Sequence, residues 1–361
     1  MHKLRAIGAF FSDDFSALLV FFIVDENTSA DTLNYTGLSV LASPAGGAVT
    51  GVALANSLLA NNTAQSGTAT FSSTTGGTYT LTPTLASALN GTLGTVAANG
   101  GVTTASVTVF SGSAKWNAAA TAAWSAGAGT NWTDTTAASV HASPGTFAGF
   151  ATSDTAVFDG SSLGSIVNLD GAAPSLAALS FTGHSSTIAK GTGGALTLNN
   201  GASAATVTDS GGSHSITAPV LLGGNAIATV TNPDDTLTLS GDITGAGKTL
   251  TRTGAGTLLL SGAQNYTTLN ANGGVTDITG SFTGGTATVH ANATVRFEAS
   301  QTLAALFIGD GVAVTLGSGA GDAFGDATVK ADLALVPEPG SASLLLPAAL
   351  GLLSRRRRAR R

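Results

Sequence analysis

The chain contains no cysteine, one methionine and three glutamates (Glu26, Glu298, Glu338) among 361 residues. Without cysteine there are no disulfides or thiolate metal sites, which excludes a small disulfide-stapled scaffold and leaves the compartment open. Charged residues make up 9% of the chain, against roughly 25% in an average soluble domain. With 43% apolar residues, the chain does not fit a charge-rich disordered polymer, which needs low hydrophobicity and high net charge. Exposed-helix formers are scarce, with five lysines beside the three glutamates, so a helical protein is not expected. Six of the nine arginines lie in the last seven residues; the formal charge of −6, less those six positive charges, leaves −12 on the body. An acidic body so poor in cations cannot neutralise a phosphate backbone, which argues against a nucleic-acid partner.

What is abundant is glycine, 48 residues, together with Ala, Thr, Ser, Val, Leu and Asn. This composition suits short strands and tight turns. β-Prone runs alternate with Gly/Asn/Asp/Ser clusters, as in Thr78–Thr82, Val102–Phe110, Ala195–Leu198, Ala205–Thr208, Ile227–Thr231, Thr236–Leu239 and Thr257–Leu260. Several alternate Thr with Leu or Val, the period of two that sends successive side chains to opposite faces. From about residue 177 the runs recur roughly every 10 residues, which predicts an all-β architecture. A sandwich and a parallel solenoid both fit. The brevity of the runs, the small aliphatic side chains and the Asn and Thr at turn positions favour a solenoid, in which each turn is stabilised by its neighbours.

The expected organisation is a degenerate or truncated export signal over 1–30, a small β-sandwich-like block over 31–112, a Trp-containing cap over 113–160, β-solenoid repeats over 161–335 and a tail over 336–361 with a short hydrophobic helix. At the N-terminus two readings stand side by side. Lys3 and Arg5 precede apolar stretches, but Asp13, Asp14, Asp25 and Glu26 interrupt them. Either this is an export signal, or the first strand of a domain begins here.

The C-terminus carries the most specific pattern: Val336-Pro337-Glu338-Pro339-Gly340, an apolar run from Ala342 to Leu353, and a cluster at Arg355, Arg356, Arg357 and Arg358 followed by Arg360 and Arg361. The apolar run is shorter than the ~20 residues of a comfortable membrane span. The charge on one side predicts a cytoplasmic Arg cluster acting as a membrane stop and a translocated body. The tail resembles the PEP-CTERM sorting signal of exported bacterial proteins. The resemblance implies recognition by an exosortase-like sorting enzyme through Pro337, Glu338 and Pro339, transient membrane contact through the tail, and delivery to the cell envelope, cell surface or extracellular space. A second resemblance covers Leu250–Thr267, "LTRTGAGTLLLSGAQNYT", which is similar to the autotransporter-associated β-strand repeat, with Arg252 where that family usually has Lys. It implies a parallel β-helix stalk. Thr236–Thr253 resembles the unit leading into it.

Trp116, Trp124 and Trp132 are spaced eight residues apart and lead into Asp154–Gly160, "DTAVFDG". They read either as a packed lid over the first solenoid turn or as an aromatic platform contacting sugar rings; the platform requires exposed indoles. No catalytic constellation stands out. His2, His141, His184, His214 and His290 fall in no metal-binding frame, and the last three are expected as solvated turn residues. Gly245-Ala246-Gly247-Lys248-Thr249 lacks the first glycine of a phosphate loop and reads as a turn. Neither a metal nor another cofactor is implied. The expected function is an exported structural or adhesive protein in contact with extracellular polysaccharide. The alternatives are a secreted carbohydrate-active β-helix enzyme and a carbohydrate-binding module.

Overall fold

A computed structural model describes residues 4–11, 18–26, 33–35, 38–54, 58–59, 64–73, 75–85, 88–90, 94–96, 105–118, 120–125, 130–146, 153–160, 165–290, 292–298, 301–308 and 312–314. Within them the protein is all-β, with no helix. The segment expected to be a sorting tail, with Pro337, Glu338, Pro339, Arg355, Arg356, Arg357, Arg358 and its expected hydrophobic helix, lies outside the described residues.

Between Ser113 and Ile308 the described strands, apart from Trp132–Asp134, wind into a parallel β-solenoid. One wall is an eight-stranded sheet running from Ala122–Ala123 through Ile166–Asn168, Thr187–Ala189, His214–Ile216, Thr236–Leu239, Thr257–Leu260 and Gly274–Ile278 to Ala293–Phe297. The facing wall is a thirteen-stranded sheet that forks after Ser175–Phe181. One branch runs through Leu196–Leu198 and Val220–Leu222, the other through Ala205–Asp209 and Ala226–Val230. Both rejoin at the long strand Ile243–Thr253. Each turn therefore offers three strand positions. Turn length varies from 28 residues, between the stacked Ile188 and Ile216, to 18, between Leu260 and Ile278. The spacing of roughly 10 residues in the sequence was thus the spacing of strands within a turn.

The period of two becomes physical in the stacking. Val167, Ile188, Ile216, Leu239, Leu260, Ile278 and Phe297 are direct neighbours in successive turns, and all are buried. On the opposite wall Ala205, Ala226, Leu250, Leu269, Ala287 and Leu306 form a second inward column. Burying one aliphatic side chain contributes about 1.5–3 kcal/mol, and here each burial needs the turn above and the turn below.

Glycine is required where turns touch at the corners. A Cβ on Gly262 would lie 2.3 Å from the carbonyl oxygen of Gly241, and one on Gly280 would lie 2.0 Å from that of Gly262. The recurring "SG" and "TG" pairs that follow Leu239, Leu260 and Ile278 are this ladder of backbone contacts. The segment Gly245–Thr249, expected as a turn, is instead a register irregularity inside the strand Ile243–Thr253.

Ahead of the solenoid, the described strands form antiparallel sheets. Leu4–Phe11 and Leu18–Glu26, which hold most of the two stretches weighed as an export signal, pair with each other, and the second pairs with Ala64–Ser72. Ala69, Phe71, Tyr79, Leu81 and Val107 form a buried cluster in this region, and the rings of Phe71 and Tyr79 lie 5.0 Å apart. This region meets the solenoid at Asp134, whose carboxylate accepts from the backbone N–H groups of Ser111, Thr136 and Ala137.

Candidate functional site

Trp116 and Trp132 sit opposite each other on Ser113–Trp116 and Trp132–Asp134, an antiparallel pair at the start of the thirteen-stranded sheet. All three indoles are 0% exposed. Trp124 and Trp132 lie 4.6 Å apart, Trp116 and Trp132 5.0 Å, and each ring also contacts Phe158. Trp124 Nε1 donates to the carbonyl of Pro144, and Trp132 Nε1 to that of Trp124. The reading of Trp116, Trp124 and Trp132 as a sugar-contact platform is therefore corrected: no indole face reaches solvent. The cause is geometric. The first complete turn has no turn before it, and these bulky rings fill the space above Phe158 that a preceding turn would occupy.

Aromatic stacking continues inward through Phe158 and Phe181, 5.1 Å apart, to His214, whose ring lies 4.5 Å from Phe181 at 23°. His214 is 2% exposed, which corrects the expectation of a solvated turn residue. Its Nδ1 accepts from the Ser186 N–H at 3.0 Å, and its Nε2 donates to the Gly211 carbonyl at 2.9 Å. Position 214 faces inward in its strand because Leu237, its direct neighbour, does so too. His184, by contrast, is exposed.

Asp209 also points inward, in the column Phe158, Phe181, Asp209, Val230. Its Oδ1 accepts from the Gly211 N–H at 3.3 Å and lies 3.9 Å from His214 Nε2. Its Oδ2 has no hydrogen-bond partner among the described residues. Burial raises its carboxyl above the ordinary aspartate value, opposed by His214 and the Gly211 N–H.

Arg252 is a third inward polar residue, 0% exposed, stacked between Ala228 and Ala271. Its guanidinium donates to the carbonyls of Thr253, Gly254 and Gly256. The two alanines leave room for the long stem, and the cation closes the corner that leads to Thr257–Leu260. Burial lowers its pKa from 12.5 to about 10.

The outward face is built differently. Thr206, Ile227, Thr251, Asn270 and Thr288 form one row across successive turns. Ser180, Thr208, Thr229 and Thr253 form the next, with the Thr229 and Thr253 hydroxyls 2.8 Å apart. Neighbouring strands are spaced about 4.8 Å, and residues two apart on a strand about 6.6 Å, so the two rows form a regular array that carries hydroxyls at every position but Ile227 and Asn270. On the eight-stranded wall Thr187, Ser215, Thr238 and Leu259 lead to the pair Asp277 and Arg296, 3.5 Å apart. Among the described residues no three His, Cys, Asp or Glu side chains converge on a metal-sized site. The buried Asp209 and His214 carry no motif, and Arg252 stands in the repeat-like stretch Leu250–Thr267; only their place in the alternation of inward and outward positions could have marked all three as buried. No family model, curated protein or solved structure matches this chain.

Proposed function

We propose that this protein is a non-enzymatic structural or adhesive component of the bacterial cell surface or extracellular matrix. The solenoid acts as a stiff spacer. Its thirteen-stranded wall offers neutral, hydroxyl-rich rows to hydrated extracellular polysaccharide, each contact being weak and the array multivalent. The observation that carries this reading is the pair of outward rows, Thr206 to Thr288 and Ser180 to Thr253. The antiparallel region over 31–112 is a small β-sandwich at the distal end. Residues 336–361 are the sorting tail: the apolar run enters the membrane as a short helix, Arg355–Arg358 hold it at the cytoplasmic side, and an exosortase-like enzyme recognises Pro337, Glu338 and Pro339. Residues 236–267 are repeat units of the autotransporter-associated type.

The test is a paired one. Replacing Thr206, Thr208, Thr229, Thr251 and Thr253 with valine, which keeps the strand shape and removes the hydroxyls, is expected to abolish retention on the producing cell's extracellular polymer without unfolding the protein. Unchanged retention removes the adhesive role. Deleting residues 355–361 is expected to leave an unprocessed, mislocalised chain; unchanged processing and location remove the sorting role.

A further inference from the structure

We infer that His214, with Asp209 beside it, is an acid-sensitive clasp that joins the corner at Ser186 to the next turn of the solenoid. The geometry fixes the starting state. A nitrogen that accepts from a backbone N–H carries no proton, so the bond from Ser186 to Nδ1 and the bond from Nε2 to Gly211 require the neutral imidazole with its hydrogen on Nε2. A second proton can go only on Nδ1, where it faces the Ser186 N–H. Protonation therefore removes the inter-turn hydrogen bond and sets two donors against each other in a buried site.

The charged surroundings are few. Asp209 faces Nε2 at 3.9 Å, and Asp235 acts on Asp209 from the next turn. The neighbours Phe181, Ser186, Gly211 and Leu237 are uncharged. The titratable residue of the Thr182–Ser186 corner, His184, is exposed.

The sign follows from proton counting. A proton and the Ser186 N–H compete for the one lone pair on Nδ1, which the closed corner gives to Ser186 and an open corner leaves free. The open form binds more protons, so acidification favours opening, by up to tenfold per pH unit for one proton. Asp209 works in the opposite direction. Its carboxyl is raised by burial, so the closed form keeps that proton to higher pH than the open form. Its stabilising contribution is present in acid and is lost as pH rises through the folded value. An ionised Asp209 would also favour an imidazolium in place. Either way the carboxyl damps the response of His214.

Amide hydrogen exchange on the full chain, corrected for intrinsic exchange chemistry, tests this between pH 7.5 and 5. Protection of the Ser186 amide in the wild type is expected to fall at least fivefold over that range, while the Thr279 amide, bonded to Leu260 in a distant turn, stays constant. His214→Gln, which keeps an acceptor and a donor but cannot titrate, is expected to flatten the response. Asp209→Asn is expected to steepen it at least twofold. A wild-type response equal to that of His214→Gln, or an equal loss at Ser186 and Thr279, would overturn the proposal. Should His214→Gln not fold, the ¹⁵N shifts of the wild-type imidazole decide: the Nε2–H tautomer at pH 7.5 and titration in step with Ser186 exchange are expected, and a ring charged at pH 7.5 refutes the clasp.

Discussion

Replacing Arg252 with methionine should destabilise the solenoid, although it removes a buried charge. Methionine reproduces most of the stem between Ala228 and Ala271 but donates no hydrogen bond. The carbonyls of Thr253, Gly254 and Gly256 then lose their guanidinium donors. Hydrogen bonds to a charged group contribute about 1.5–3 kcal/mol each, so the gross loss is roughly 4–9 kcal/mol. Desolvating the cation costs several kcal/mol, which methionine recovers. The net expectation is a loss of about 2–4 kcal/mol. Arg252→Lys keeps the charge but gathers its donors on one nitrogen, and about half that loss is expected. Urea unfolding followed by circular dichroism measures the total. Exchange of the Gly256 amide, bonded to the Val230 carbonyl across the corner, localises it. The difference between wild type and Arg252→Met should be flat from pH 6 to 9, because a base lowered only to about 10 stays charged there. A methionine variant as stable as the wild type, or more stable, would show that desolvation outweighs the three acceptors.

Gly262→Ala places a Cβ 2.3 Å from the Gly241 oxygen and should cost about 2–3 kcal/mol in a urea melt; Gly247→Ala, with nothing within 4 Å at φ +74, should cost only about 1–2 kcal/mol, and equal costs would discredit the contact ladder. Trp132→Ala removes the ring shared by Trp116, Trp124 and Phe158 and should cost about 3–5 kcal/mol by thermal or urea unfolding. Native tryptophan emission should be blue-shifted and resist acrylamide quenching, since all three indoles are 0% exposed; a red-shifted, quenchable signal would contradict the burial.

The alternation of Thr with Leu or Val made the all-β class and the stacked walls legible, because a strand buried on one side imposes that period on any sequence. Thr236–Leu239 and Thr257–Leu260 show it most plainly: they stack residue on residue. Corners were harder to read. Gly245–Thr249 has the composition of a turn but sits within a strand, since neighbouring turns hold both of its flanks in register. The inward polar residues were invisible for a related reason. Period two indicates that Asp209, His214 and Arg252 share a parity with buried neighbours, but polarity argues for exposure. Only the local acceptors, such as the Gly211 and Gly256 carbonyls, resolve that conflict. The evenly spaced tryptophans pointed to one site, yet spacing alone could not distinguish a surface for sugars from a plug.

The unequal turns leave one wall of aliphatic contacts unbroken: between Ile188 and Ile216 the chain takes ten more residues than between Leu260 and Ile278, yet all four meet their partners in the same column. Surplus length escapes sideways at the bends. Extra peptide grafted at an exposed bend such as Gly201, where nothing lies within 4 Å of an added Cβ, should therefore be carried as an outboard loop. The molecule can acquire new epitopes there while its axial rise stays constant.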